Sequence, residues 1–95
     1  MDKRKAYEEK FAAQVDGWTA QLAVYKAKSE QATAQAKIEY CEITEALQRQ
    51  HEGAKSKLQE LKGSSDEAWE EIKKGADSAW TEVKTAFRSA ASKFN

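Results

Sequence analysis

The chain has 95 residues, 40% of them apolar and 34% charged, with 16 basic side chains balanced by 16 acidic ones. A domain of this length has only a marginal core, and zero net charge lacks the basic excess that an electrostatic nucleic-acid binder needs. There is no proline, and Ala, Glu, Lys and Gln dominate, so the chain reads as all-α.

The opening segment "MDKRKAYEEKF" is charged, and no stretch approaches the ~18 apolar residues of a membrane span. The expectation is therefore a chain without an export signal or membrane span. A single cysteine, Cys41, cannot build an internal disulfide scaffold, and a cytoplasmic setting is the default. Across residues 1–46, Phe11, Val15, Trp18, Leu22 and Tyr25 alternate by 4 and 3, a heptad pattern continued weakly by Ser29, Ala32 and Ala36. The stretch "AKSEQATAQA" (Ala27 to Ala36) is helix by propensity but brings little apolar surface. Tyr40, Ile43 and Leu47 restore the seam after one phase slip near Ala36.

Residues 47–95 follow a different period. "DEAWEEIKKGADSAWTEVKTAF" repeats at a shift of eleven, placing Ala68-Trp69 on Ala79-Trp80. Eleven residues in three turns is about 3.67 per turn, close to the natural helical period, so the apolar stripe runs nearly straight along a helix. Its large members are Leu47, Leu58, Leu61, Trp69, Ile72, Trp80, Val83, Phe87 and Phe94. One break is suggested at "KGSSDEAW", where Gly63 can end a helix, Ser64 can cap the next, and Glu67 stands at capping-box spacing. The stripe nevertheless keeps phase from Leu61 through Ser65 to Trp69. That favours a continuous or gently kinked helix, with a hairpin turn at Gly63–Ser65 as the alternative. A continuous rod would be roughly 140 Å long and could not bury its own stripe.

Residue chemistry points away from an enzyme. Cys41 and His51 lie ten residues apart, about 15 Å along a helix, too far to act on one atom. The residue three before His51 is Gln48, so the Glu-x-x-His pair of bundle metal sites is missing its carboxylate. Glu39, Glu42, Glu45 and Glu52 read as a solvated face. No phosphate-cradling loop is present. The sequence thus offers no catalytic residue, metal site, cofactor or small-molecule substrate. The sharper signal is C-terminal: Trp80, Val83, Phe87 and Phe94 form one face, opposite a face rich in Ser and Thr (Ser78, Thr81, Thr85, Ser89, Ser92). Such a helix suits insertion into loosely packed bilayers, and the same stripe also suits a bundle core.

"MDKRKAYEEKF", "KSKLQELKGSSDEAWEEIKKGADSAW" and "AFRSAASKF" resemble small prokaryotic coiled-coil proteins with apolipoprotein A-I-like eleven-residue repeats. The resemblance implies a long helical, non-enzymatic protein associated with stress responses, and assigns no role to Cys41 or His51. The resulting expectation is a single helical coiled-coil domain over 1–95 that forms a homo-oligomer or bundle. Its main seam would be Leu47, Leu58, Leu61, Trp69, Ile72, Trp80, Val83, Phe87 and Phe94. Phe11, Val15, Trp18, Leu22 and Tyr25 would form the second. The alternative is a peripheral membrane-binding helix contacting lipid through Trp80, Val83, Phe87 and Phe94.

Overall fold

Three short polar side chains decide where the helices begin. In the computed structural model, which describes residues 2–94, Asp2 accepts from the amides of Arg4 and Lys5 at 3.0 and 3.3 Å and opens α1, Lys3–Gln31. Thr33 Oγ1 accepts from Ala36 N at 3.4 Å and opens α2, Ala34–Gly63. Ser65 Oγ accepts from Ala68 N at 3.3 Å and opens α3, Asp66–Lys93. Each cap satisfies amides that have no partner inside the first turn. Asp66 and Glu67 in the first turn of α3, and Lys28, Lys62 and Lys93 in the last turns, match the helix dipole.

The helices have 29, 30 and 28 residues, about 45 Å each, and fold into a bundle of 51 × 20 × 19 Å. Pairs such as Thr19–His51 and Lys26–Gln48 set α1 antiparallel to α2. Tyr7–Trp69 and Tyr25–Phe94 set α1 parallel to α3. The architecture is an up-down-up three-helix bundle with α2 against both neighbours, and the described residues contain no strand.

Two sequence expectations are corrected. The chain does break between Gly63 and Asp66, but the cap of α3 is Ser65, and Ser64 instead closes α2 by donating both its amide (3.3 Å) and its hydroxyl (2.8 Å) to Leu61 O. A second break at Ala32–Thr33 divides the stretch read as uninterrupted helix. Helix propensity there is high. The large side chains of α1, however, are buried by folding back on α2 and α3, and that tertiary gain overrides local preference. The division between residues 46 and 47 falls inside α2.

Buried positions alternate by 3 and 4 in α1 (Phe11, Val15, Trp18, Leu22, Tyr25, Ser29) and in α2 (Thr44, Leu47, His51, Ala54, Leu58, Leu61), the spacing of bundle seams. Between Leu47 and Ala54 the seam of α2 takes His51, while the neighbouring Gln50 is exposed. Trp69 and Trp80, equivalent on the stripe, part company as well: Trp69 is buried and Trp80 half-buried.

Candidate functional site

The residues expected to meet another copy or a bilayer lie inside one chain. Phe11, Val15, Trp18, Leu22, Tyr25, Leu47, Leu58, Leu61, Trp69, Val83, Phe87 and Phe94 are all buried, with Ile72 and Trp80 packed against them as partly buried members of the same core. The burial that a long rod would need from elsewhere is supplied by fold-back. Of the large hydrophobic residues, Val24 (52%) and Ile38 (67%) are the exposed ones among the described residues.

All nine aromatic residues of the chain (three each of Trp, Tyr and Phe) join one column, mostly between the parallel helices α1 and α3. Phe11 meets Trp80 edge-on at 5.1 Å and Trp18 stacks on Phe87 at 6.0 Å. Tyr25 stacks on Phe94 at 4.7 Å, and Phe94 also meets Tyr40 of α2 at 4.5 Å. These are favourable ring geometries and add to area burial. Bulky rings space α1 from α3, while α2 contributes mainly aliphatic and small residues to the core.

Polar ties are concentrated at the end where α1 begins. The Arg4 guanidinium donates to Glu8 (Nε, 2.9 Å), to Asp66 (Nη1, 2.7 Å), and through Nη2 to Leu61 O (2.9 Å) and Ser64 O (2.7 Å). Glu8 also accepts from the indole Nε1 of Trp69 at 3.0 Å. One side chain of α1 thereby holds the last turn of α2 and the first residue of α3. The hydrogen bond to Glu8 raises the Arg4 pKa above its already high ordinary value, so the guanidinium stays charged. In the sequence the opening segment is legible only as charged, because the signal for the role of Arg4, an Arg-x-x-x-Glu pair on one helix face, is too common to stand out.

One turn further, Tyr7 OH donates to Asp77 Oδ1 at 2.6 Å, and Lys73 Nζ donates to Asp77 Oδ2 at 3.1 Å while lying 4.8 Å over the Tyr7 ring. Burial, then the Asp77 carboxylate, pushes the Tyr7 phenol well above its ordinary range. The Tyr7 hydrogen bond, then Lys73, lowers Asp77. The folded state therefore favours neutral phenol, and this contribution is fully present below the unfolded tyrosine pKa of about 10 and lost as pH rises above it. Thermal unfolding between pH 9 and 11 should show a steeper alkaline loss of stability in the natural chain than in Tyr7→Phe. Equal slopes would deny the coupling.

Midway along the bundle Thr19 Oγ1 lies 3.0 Å from Val15 O and shares a hydrogen bond of 2.7 Å with His51 Nε2. The other ring nitrogen, Nδ1, is buried without a partner. Cys41 is half-buried with Sγ 3.4 Å from Ser29 Oγ. Neither residue joins a set of reactive groups: among the described residues no three His, Cys, Asp or Glu side chains gather as a metal site would require.

At the opposite end α3 is held differently. No hydrogen bond between side chains reaches α1 or α2 from α3 beyond Asp77 among the described residues. Open grooves flank this half on both sides. One lies between Gln14 and Gln21 of α1 and Lys84 and Arg88 of α3, the other between Ile43 and Ala46 of α2 and Ala86 and Ser89 of α3. None of the family models matches the chain, and comparison with curated proteins and with solved structures finds no match. No described helix is long and apolar enough to cross a membrane.

Proposed function

We propose that this is a non-enzymatic helical-bundle protein whose function is to exchange helix–helix burial for burial on a loosely packed bilayer, through the C-terminal half of α3. The observation that carries this reading is the asymmetry of α3. Its first half is tied by hydrogen bonds through Asp66, Trp69 and Asp77, and its second half by packing without a side-chain hydrogen bond to α1 or α2, the one cationic contact being Lys10 over the Trp80 ring at 5.9 Å among the described residues. Apolar contacts are non-directional, so a bilayer interior can replace them at similar free energy, about 1.5–3 kcal/mol for each of Val83, Phe87 and Phe94. Few polar bonds are broken in the exchange.

The outward side of the same half suits a bilayer surface. Residues 78–94 carry Lys84, Arg88 and Lys93 against Glu82, a net charge of +2, amid Ser and Thr. The first part of α3, residues 66–77, carries five acidic side chains (Asp66, Glu67, Glu70, Glu71, Asp77) against Lys73 and Lys74, a net charge of −3. Anionic headgroups would attract the second segment and repel the first.

Flotation with anionic vesicles of two sizes tests the proposal. The protein should rise with small, highly curved vesicles and stay behind with large ones. Phe94→Ser, at the edge of the core, should weaken flotation severalfold while helicity is kept. A protein that floats with neither vesicle size has no such function.

A further inference from the structure

The α2–α3 turn is held bent by a residue that belongs to neither helix. Ser64 (φ −82°, ψ 153°) and Ser65 (φ −71°, ψ 162°) are the only two non-helical residues between α2 and α3. Neither needs the left-handed region, and no described residue has positive φ. Rotation about two ψ angles into the helical range would therefore join α2 and α3 into one helix, and both residues are serines that a helix accepts. The core stripe is in register for this. Leu58, Leu61, Ser65, Trp69 and Ile72 step by 3, 4, 4 and 3 across the junction, so a straightened helix keeps one apolar face.

Leu61 O, Ser64 O and Ala68 N have a partner in either form. When straight, Leu61 O would accept from Ser65 N and Ser64 O from Ala68 N, the ordinary helical bonds. When bent, Leu61 O accepts from Ser64 and Arg4, Ser64 O accepts from Arg4, and Ala68 N is capped by Ser65. Straightening carries α3 away from its own α1 and uncovers Trp69, Val83 and Phe87. A second copy that has opened in the same way can cover them, placing its α3 where the first chain's own helix had been. The aromatic column and the Glu8–Trp69 bond then re-form between copies. What does not re-form is the Arg4 bond to Ser64 O, because helical ψ at Ser64 turns that carbonyl along the helix axis toward Ala68 N and away from the guanidinium. Only contacts that differ between two states bias the equilibrium between them.

We propose that two copies of this chain exchange α3 through a straightened Ser64–Ser65 junction, and that Arg4 is the latch holding the closed single-chain bundle. This goes beyond the bilayer reading and is tested without lipid. Light scattering coupled to gel filtration, over a concentration series, should show Arg4→Gln reaching half-dimer at a concentration at least about tenfold lower than the natural chain. Ser64→Ala/Ser65→Ala, which removes the α3 cap and leaves Arg4 in place, should shift the same way. Asp66→Pro should reverse both. Proline is suited to the first position of α3 and cannot donate to Lys62 O in a straight helix; the 96% exposed side chain it replaces accepts from Arg4 Nη1, so the reversal is expected in spite of that lost tie. Small-angle scattering should give the dimer a longest dimension near 90 Å, the length of a helix spanning residues 34–93, against 51 Å for the closed bundle. The proposal is overturned if Arg4→Gln and Ser64→Ala/Ser65→Ala both remain folded monomers. It is equally overturned if dimers form but persist in Asp66→Pro. Should Arg4→Gln not fold, the double alanine variant decides alone.

Discussion

Replacing Phe11 by Ala lowers the unfolding free energy by about 3–5 kcal/mol, the usual cost of deleting a fully buried aromatic ring. Phe11 is 0% exposed and touches both Tyr7 and Trp80, so its loss opens a cavity in the middle of the α1–α3 column. A domain of this size has a total stability of about 5–14 kcal/mol at 0.05–0.15 kcal/mol per residue. The variant therefore loses a large fraction of it. Chemical denaturation followed by helical circular dichroism gives the number directly. A loss below about 1 kcal/mol would mean that α1 and α3 do not meet through these rings in solution.

Glu8→Ala comes second in size, with an expected loss of about 1–3 kcal/mol. The carboxylate is the shared acceptor for Arg4 Nε and Trp69 Nε1, and Trp69 is 5% exposed. Without Glu8 the indole N–H is left in the core without an acceptor, and that unmade bond is the larger part of the effect. Glu8→Gln keeps an acceptor oxygen for the indole and should recover about half of the loss. Trp69 fluorescence read alongside unfolding separates this from general loosening, because only Glu8→Ala should change the polarity around the indole in the folded state. If the two variants unfold alike, the Glu8–Trp69 bond does not carry the effect.

The two proposals draw on different ends of α3. The bilayer reading uses the half beyond Asp77, where the helix is held mainly by apolar packing. Exchange of α3 between copies uses the junction at its start, where Arg4 is the specific restraint. A failure of flotation leaves the latch untouched, and a monomeric Arg4→Gln leaves the bilayer reading untouched.

Much of the core was legible in the sequence. Periodicity alone picked out Phe11, Val15, Trp18, Leu22, Tyr25, Leu47, Leu58, Leu61, Trp69, Val83, Phe87 and Phe94, because helical spacing decides which side chains share a face. The phase slip near Ala36 was the trace of the Ala32–Thr33 break. In the sequence alone it shows only as a phase slip, because the flanking alanines and glutamines favour helix on either side. Arg4, Glu8 and Asp77 could not be found as tie points. Their partners lie 57 to 70 residues away in the chain, and no local pattern encodes such a meeting.

Residue order alone thus dictates that the chain is helical, which face of each helix is apolar, and that this face must be covered. Those are properties of side-chain spacing and backbone preference within a few turns. Tertiary structure decided what covers it: two breaks of two residues each let one chain bury its own stripe. The phase kept through Ser65 suits a bent and a straight junction equally, so local signals left the choice open. In the folded bundle the closed form is held by burial of α3 against both α1 and α2 and by one guanidinium that reaches the carbonyls of Leu61 and Ser64.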